Sequence, residues 1–283
     1  MPYRIFRTAS SVFVEDTHTP GLFKHLSPEF SFNDLFTSDS PSTYLTGQLE
    51  SASDAASFNP EIPYQPPIED QEVWASGVTY FRSRTARMEE AESAGGDIFY
   101  DKVYDAERPE LFFKSSASRT RGHLDKVGIR HDSTWDVPEP EFTLAISSQG
   151  EIFGCTIGND MSSRSIEGEN PLYLPQAKSY TGACAIGPCL LVGETPSLDS
   201  SIAISIHRDG NEVFSGETAL NQIKRSFEEL TEFLFRCNDF ARGAYLMTGT
   251  GIVPDSDFTL EIDDEITITI EGIGTLTNTV EEV

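Results

Sequence analysis

The chain has 283 residues, with 46 acidic and 20 basic side chains and a formal net charge of −26 at pH 7. This excess of negative charge argues against nucleic acid as a partner, because phosphate binding requires a basic patch. No apolar run approaches the roughly 20 residues that span a membrane, and the N-terminus MPYRIFRTAS lacks the apolar core of a secretory signal. We therefore expect a cytoplasmic protein without a membrane partner.

The distribution of the charges indicates adaptation to a salty cytoplasm. The acidic residues are spread along the whole chain, and only six residues are Lys. Ions at high concentration screen the repulsion within such a surface. The alternative is an ordinary acidic protein, whereas a hydrophobic content of 38% argues against disorder.

The N-terminal region differs in composition from the rest of the chain. It combines short apolar bursts with a Ser/Thr/Asp-rich stretch, and the segment NPEIPYQPPIED contains four prolines. Proline favours an extended conformation in the residue before it, so this segment is typical of a linker. We predict a small N-terminal domain with a proline-rich linker at residues 1–68 and a larger domain at residues 69–283.

The larger domain is rich in strand patterns. In chain order, strands are predicted for EVWASGVTY, LFFKSS, VGIRHDS, EFTLAIS, EIFGCTIGNDMS, ACAIGPCLLVG, SIAISIHRDGNEVFSGE and ITITIEGIGTL. QGE joins EFTLAIS to EIFGCTIGNDMS as a hairpin turn, and RDGNEV predicts a second hairpin. SFEELTEFLFRCN predicts an amphipathic helix, because its apolar residues recur at helical spacing. This pattern predicts a mostly β, α+β fold with peripheral helices.

The four cysteines lack the paired spacing of metal ligands, and a cytosolic protein seldom forms disulfides. We expect all four to be buried as small hydrophobic residues: Cys155, Cys184, Cys189 and Cys237.

Two glutamates stand at the start of one predicted strand, in WDVPEPEFTLAIS. Glu139 and Glu141 are two residues apart, so their side chains point to the same face. The predicted hairpin returns Asp160 close to Glu141 on the neighbouring strand. Such carboxylates repel one another, and three of them predict an oxygen-rich site for Mg²⁺ or Mn²⁺. The alternatives are surface acids and a turn cap at Asp160.

Two lysines and one glycine-rich stretch are further candidates for a binding site. Lys114 lies between FF and SS, and Lys178 lies in LPQAKSYTGACAIGP. They are either structural residues with their charge at the surface or cations that meet a carboxylate substrate or an enolate. TGTGIVP lacks the spacing of a phosphate loop and predicts a tight loop that approaches a ligand closely, with a plain turn as the alternative.

The order of these motifs resembles the fumarylacetoacetate hydrolase family. They run from EPE through GxxxxNDxSxR, QxKxY and IGP to GTGIVP and EGIGTLxNxV, between about Trp74 and Val280. The resemblance implies a β-roll catalytic domain, a homodimer or homotetramer, and a divalent metal bound by Glu139, Glu141 and Asp160. It also implies an active-site lysine at Lys178 and a small-hydroxyl loop at Thr248 to Thr250.

One departure from the family pattern bears on the reaction. Family members that hydrolyse carbon–carbon bonds often carry a His–Glu pair that activates water, and here Ser83 and Ala86 stand at the matching positions. The longer pattern, with YDKVYDAERPELFFK and IEGENPLYLPQAK, resembles the archaeal 2-keto-3-deoxypentonate dehydratases of the family. That resemblance implies dehydration of a 2-keto-3-deoxy sugar acid to 2,5-dioxopentanoate in oxidative pentose degradation.

The residues suit a dehydration. A 2-keto acid chelates Mg²⁺, which stabilises the enolate formed when C3 loses a proton. We expect Lys178 to transfer the proton or stabilise the enolate, and Lys114 to hold the substrate. His123 is our candidate acid for the leaving hydroxyl, although a lone His is more often structural. Substrate contacts are expected from Tyr80, Lys114, Ser116, Lys178 and Thr250.

Two other functions remain open at this point. The first is a hydrolase of acylpyruvates or related 1,3-diketo acids on the same fold, which cleavage of acetylpyruvate would favour. The second is a non-catalytic protein whose acidic cluster only binds cations, which predicts a metal affinity that 2-keto acids do not change.

Overall fold

Two β-sheets dominate the part of the chain described by the structure, a computed structural model that covers residues 1–55, 62–80 and 102–283. The large sheet contains ten of the described strands in the order β4-β3-β2-β1-β10-β9-β8-β13-β5-β6, and the small sheet contains five in the order β12-β11-β14-β15-β7. The strands are β1 Tyr3–Arg7, β2 Val12–Asp16, β3 Phe23–His25, β4 Ser53–Ala55, β5 Glu72–Gly77, β6 Glu110–Ser116, β7 Lys126–Ile129, β8 Asp136–Ile146, β9 Ile152–Ser163, β10 Cys184–Val192, β11 Ser201–Arg208, β12 Asn211–Ala219, β13 Ala244–Met247, β14 Glu265–Ile270 and β15 Gly274–Glu282.

The helices are short and lie around the sheets. They are α1 Phe32–Thr37, α2 Pro41–Glu50, α3 Arg164–Glu169, α4 Leu174–Lys178 and α5 Phe227–Phe235, with a further helical segment at residues 102–105. Ser226 caps α5 by accepting a hydrogen bond from the backbone N–H of Glu229. These elements confirm the predicted mostly β fold and the predicted amphipathic helix.

The hairpin of β8 and β9 forms the centre of the large sheet. Its register pairs Glu139 with Asp160 and Glu141 with Gly158, so Asp160 lies directly opposite Glu139 and two positions along from Glu141. β13 runs antiparallel to β8 and parallel to β5, and it pairs only with Thr143 to Ile146 of β8. The predicted hairpin is confirmed, with Asp160 opposite the first glutamate.

Pro138 and Pro140 lie in the half of β8 that β13 does not reach. Alternate residues of a strand direct their backbone groups to the same side. On the β13 side, the carbonyl of Phe142 accepts from Thr248 N–H, and the carbonyl of Asp136 accepts from Leu260 N–H. Along β8 the two prolines lie between Asp136 and Phe142, and neither has an N–H to donate to a neighbouring strand. This side of β8 therefore tolerates proline, because no described strand pairs there.

The two faces of the large sheet bury different sets of side chains. Phe142, Leu144 and Ile157 face the small sheet and pack in one cluster with Ile204 and Ile268. On the opposite face, α1 and α2 pack their apolar residues against Ala145, Tyr245 and Met247. Glu139 and Glu141 share the face of Ala145 by strand alternation, so they point away from the small sheet.

The N-terminal region continues the large sheet. β1 pairs with β10, and Ile5 opposite Leu190 is fully buried, as is its partner. β2, β3 and β4 then extend the sheet on this side. The sheet therefore runs through both parts of the predicted division. The division into domains at residues 1–68 and 69–283 remains a prediction.

Two smaller expectations have different outcomes. The RDGNEV hairpin is confirmed, with positive φ angles of 52° at Asp209 and 77° at Gly210 in its turn. The expectation that all four cysteines are buried is wrong for Cys237, which is exposed just after α5, whereas the other three are buried. No helix of the described ranges is long and apolar enough to cross a membrane.

Removing residues 1–68 tests the domain division. We expect the shortened protein to unfold at a markedly lower temperature than the full chain, because the truncation exposes the apolar edge of β10. Thermal unfolding followed by circular dichroism measures the difference. A shortened chain with the Tm of the full protein would instead support two independent domains.

Candidate active site and metal centre

Three buried carboxylates form a cluster on the face of the large sheet that points away from the small sheet. Glu139, Glu141 and Asp160 each offer one oxygen, and these oxygens lie within 4.8 Å of one another. Their exposed fractions are only 3%, 2% and 1%. The geometry brings together all three of the predicted metal ligands, which stand on two paired strands.

Lys178 ends α4 and places its ammonium group between two of the carboxylates. Its Nζ donates to Oε2 of Glu139 at 2.5 Å and to Oδ2 of Asp160 at 3.4 Å. The side chain is fully buried, and Nζ also lies 5.8 Å from the ring centre of Phe112. The predicted position of Lys178 beside the carboxylates is therefore observed.

Lys114, from β6, supports the same cluster from another direction. Its Nζ forms an ion pair with Asp160 and donates to the carbonyls of Met161, at 2.8 Å, and Lys178, at 2.6 Å. Burial lowers the pKa of Lys114, which Asp160 partly offsets. In this arrangement Lys114 holds Asp160 and the backbone of Lys178 in place, and its expected contact with substrate remains a prediction.

Arg164 is a site residue to which the sequence analysis assigned no role. It is 2% exposed, and its Nη2 donates to Oε1 of Glu139 at 2.8 Å. Lys178 holds the other oxygen of Glu139, so both oxygens of this carboxylate meet cations. The signal was present in the NDxSxR motif, where Arg164 follows Asp160 at the start of α3.

Glu167 is a second buried residue that the sequence analysis did not single out. It lies one helical turn after Arg164 in α3, is 1% exposed, and accepts a hydrogen bond of 3.0 Å from the hydroxyl of Ser162. Ser162 is two residues after Asp160 on β9, so its side chain points to the same face. A fourth carboxylate thus lies beside the cluster.

The TGT loop after β13 contacts Glu141. Gly249 N–H donates to Oε2 of Glu141 at 2.6 Å, and the hydroxyl of Thr248 donates to the carbonyl of Phe142 at 2.8 Å. Gly249 has a φ of +96°, and a Cβ atom there would lie 1.9 Å from Oγ1 of Thr79. The loop therefore approaches the site through its backbone, as the glycine-rich pattern predicted.

The charges of the cluster fit a divalent cation. Among the described residues, Glu139 and Asp160 form ion pairs with three cationic side chains, those of Lys114, Lys178 and Arg164, whereas Glu141 accepts the N–H of Gly249. Burial raises the pKa of Glu141 well above its usual range, and the charges of Asp160 and Glu139 raise it further. The Gly249 N–H and Lys178 only partly oppose this rise. A bound divalent cation would keep this carboxylate charged, and three carboxylate oxygens are the ligands that Mg²⁺ and Mn²⁺ prefer.

The other predicted substrate contacts, Tyr80, Thr250 and Ser116, have different surroundings. Tyr80 is 1% exposed and lies near enough to Glu141 for that charge to add to the rise in the tyrosine pKa that burial causes. Thr250 is buried, and its hydroxyl donates to the carbonyl of Ile252 at 3.1 Å. Ser116 lies at the end of β6, where its hydroxyl contacts that of Ser118 at 3.2 Å. These substrate roles remain predictions.

His123 is not part of the cluster. Its ring stacks on Tyr64 with a centroid distance of 5.5 Å, and Nδ1 accepts a hydrogen bond from Thr277 N–H at 3.1 Å. Its contacts within the described ranges include none of the three carboxylates. It lines a separate cavity of about 660 Å³ together with Arg4 and Phe6. The geometry gives no support to the predicted role of His123 as catalytic acid and favours the structural alternative.

The residues at which the His–Glu pair is absent, Ser83 and Ala86, lie outside the described residues. The inference drawn from them therefore depends on the sequence alone.

The mostly β fold, the order of the sequence motifs and the buried carboxylate cluster agree with one family of proteins. The family model described as fumarylacetoacetate (FAA) hydrolase C-terminal matches residues 78–281. The chain belongs to the fumarylacetoacetate hydrolase family.

Its relatives include dehydratases. A probable 2-keto-3-deoxyxylonate dehydratase of Haloferax volcanii is 48% identical over 219 residues, which cover 77% of this chain and 74% of the relative. A 2-dehydro-3-deoxy-D-arabinonate dehydratase of Saccharolobus solfataricus is 43% identical over 221 residues, which cover 76% and 74%. A solved structure of 2-keto-3-deoxy-D-arabinonate dehydratase, complexed with magnesium and 2,5-dioxopentanoate, has a TM-score of 0.84 and 32% identity, and the match covers 100% of this chain and 99% of that one.

Replacing Gly249 by Ala is expected to weaken both the fold and metal binding. The added methyl group collides with Thr79, and the positive φ is unfavourable for Ala, so we expect the free energy of unfolding to fall by about 2 kcal/mol or more. The affinity for Mn²⁺ should also fall, because the N–H that orients Glu141 is displaced. Denaturant unfolding and Mn²⁺ titration by electron paramagnetic resonance (EPR) measure the two effects.

Gly47 provides a matched control. It lies inside α2, and a Cβ atom there would have no neighbour within 4 Å. Gly47→Ala should raise stability by about 0.5–1 kcal/mol and leave Mn²⁺ affinity unchanged. A Gly249→Ala protein with wild-type stability and metal affinity would contradict the described role of the loop.

Proposed function

We propose that this protein is a divalent-metal-dependent dehydratase that converts 2-keto-3-deoxypentonate into 2,5-dioxopentanoate. The observation that carries the proposal is the buried cluster of Glu139, Glu141 and Asp160, interleaved with Lys178. The dehydratases among the relatives, and the magnesium in the solved structure of one such enzyme, support the same activity.

Glu139, Glu141 and Asp160 would hold the cation. When bound, Mg²⁺ or Mn²⁺ supplies a Lewis acid that polarises the carboxylate and keto oxygens of a 2-keto acid. The ion pairs of Lys178 and Lys114 with Asp160, and of Arg164 with Glu139, keep the carboxylates charged and oriented. These contacts fix the ligand oxygens on rigid strands before the substrate arrives.

The positive side chains match the charge that develops on the substrate. The carboxylate of a 2-keto acid carries one negative charge, and a second develops on the C2 oxygen as C3 loses its proton. Lys178 is the cation that we expect to meet this oxygen, because its Nζ lies between Glu139 and Asp160, two of the residues that would hold the metal. A buried ammonium group stabilises such charge strongly, because water does not screen it. We assign Lys178 to this role.

The reaction removes water and then rearranges the product. Loss of the C3 proton and of the C4 hydroxyl leaves a C3–C4 double bond. Movement of a hydrogen from C5 to C3 then gives an enol with a C4–C5 double bond. Transfer of the hydrogen of the enol O–H to C4 gives the aldehyde at C5, which is 2,5-dioxopentanoate. Neither step needs an oxidant or a reductant. The hydrolase alternative differs in requiring an activated water, for which the sequence lacks the His–Glu pair.

Three further properties belong to the proposal. We infer that the protein works in a salt-rich cytoplasm, as its net charge of −26 indicates, and in the oxidative degradation of pentoses. We also infer assembly as a homodimer or homotetramer, which the family resemblance implies. Sedimentation velocity at high KCl would determine the assembly.

A two-substrate assay tests the activity. In high KCl with Mg²⁺, we expect 2-keto-3-deoxypentonate to yield 2,5-dioxopentanoate, measured by coupling to a semialdehyde dehydrogenase. Acetylpyruvate should stay intact, as followed by its diketone absorbance. EDTA should abolish the dehydration, and Glu141→Gln should lower it at least about 100-fold, because one metal ligand is lost.

Exposed Glu50, at the end of α2, serves as the control position. Glu50→Gln should retain wild-type activity. Cleavage of acetylpyruvate without dehydration of the pentonate would favour the hydrolase alternative. Full activity of a metal-free preparation would overturn the metal-dependent mechanism.

Salt should stabilise the protein. Raising KCl from about 0.1 M to about 3 M is expected to raise the Tm by roughly 10 °C, or about 3 kcal/mol, because ions screen the repulsion of the acidic surface. Most of the rise should occur below about 1 M, where the screening length has fallen to about 3 Å. NaCl should have the same effect, and a Tm that does not depend on salt would contradict this expectation.

A further inference from the structure

The proposed dehydration, on which this inference rests, needs a group that moves a proton. A proton leaves C3, and the C4 hydroxyl needs a proton to depart as water. His123, the candidate acid from the sequence, contacts Tyr64 and Thr277 rather than the carboxylate cluster. A group that serves C3 and C4 must lie beside Asp160 and Lys178, on the same face of the large sheet.

Two contacts, one of Glu167 itself and one of Arg164 on the same helix, place Glu167 on this face of the sheet. Ser162, two residues after Asp160 and therefore about 7 Å along β9, donates its hydroxyl hydrogen to Oε2 of Glu167 at 3.0 Å. Arg164, three residues before Glu167 on α3, donates to Glu139 at 2.8 Å. Residues three apart on a helix project from the same face, so α3 presents both side chains to the cluster.

Burial makes Glu167 unusual among the many glutamates of this chain. It is 1% exposed, whereas Glu169 of the same helix is exposed to solvent. A carboxyl group is rarely buried so completely without a specific partner or a functional role. The bond from Ser162 fixes one oxygen and orients the group relative to Asp160.

We propose that Glu167 is a catalytic residue that carries the proton from C3 of the substrate to the departing C4 hydroxyl, and that Ser162 positions it. The carboxylate takes the C3 proton as the C3–H bond breaks. The electron pair of that bond forms a C2–C3 double bond and moves the carbonyl pair onto the C2 oxygen, which gives the enolate. When the carbonyl reforms, the C2–C3 pair moves to form the C3–C4 double bond, and the C4–O bond breaks with its pair leaving on oxygen. The same proton then passes to that oxygen, water departs, and Glu167 is again a carboxylate.

Glu167→Gln tests the proposal in the Mg²⁺-loaded protein. The amide keeps the size of the side chain but cannot accept the proton, so kcat should fall at least about 100-fold while KM changes little. Glu169→Gln, on the same helix, is the matched control and should keep wild-type kcat. A Glu167→Gln protein with kcat within about threefold of wild type would overturn the proposal.

A second measurement separates proton removal from loss of water. 2-Oxobutanoate has hydrogens at C3 but no C4 hydroxyl, so the wild-type protein should only exchange its C3 hydrogens in D₂O, as followed by NMR. Glu167→Gln should slow this exchange at least about 100-fold. Binding of Mn²⁺ and 2-oxobutanoate, measured by EPR and calorimetry, should be unchanged, which a merely structural role would not predict. Exchange at the wild-type rate would refute the assignment.

Ser162→Ala keeps the test decisive if Glu167→Gln does not fold. This variant retains the carboxylate and removes only the hydroxyl that orients it, so kcat should fall roughly tenfold with unchanged Mn²⁺ affinity. Wild-type kcat in Ser162→Ala would then refute the assignment. The exchange assay does not require that a pentonate be the substrate, so failure of the proposed function and failure of the Glu167 assignment can be told apart.

Discussion

Glu139 and Asp160 face each other directly across the central antiparallel strand pair, and both are buried. Like charges in this position repel, and burial makes the repulsion stronger. Cations from three surrounding elements offset it: Lys114 from β6, Lys178 from α4 and Arg164 from α3. The packing of these elements on one face of the sheet therefore depends on compensating two carboxylates, and that compensation creates the site that we propose for a metal and a 2-keto acid.

Much of the fold and of the metal site could be predicted, because both rest on local patterns. The two-residue spacing of Glu139 and Glu141, combined with the turn before β9, was enough to bring Asp160 to the same face. The QxKxY motif of the family resemblance implied the place of Lys178 beside the carboxylates, whereas strand alternation and hairpin turns are short-range signals that placed the three carboxylates. These residues came together because a hairpin determines its own register.

The parts that could not be predicted depend on contacts between distant segments. The parallel pairing of β13 with β5 and the place of β1 beside β10 join residues more than 150 positions apart. His123 is a titratable residue in a polar stretch, and only the tertiary structure shows that it contacts Tyr64. In a chain with 46 acidic residues, the burial of Glu167 has no sequence signal of its own.

Pro138 and Pro140, which each precede one of the two glutamates, have a consequence for the behaviour of the protein when it partly unfolds. A long strand with one side unpaired is a template on which a strand of another copy can add, and such growth leads to aggregation. In the folded chain the ligand-bearing half of β8 is buried, and Thr248 and Leu260 hydrogen-bond to its free side. It becomes a strand of this kind when the segment after β13 opens, because β13 itself pairs only with the other half. Pro138 and Pro140 remove the donors that an incoming strand would need, and the buried carboxylates beside them make the approach of apolar side chains costly. The two prolines therefore protect the strand against association with other chains while it is exposed.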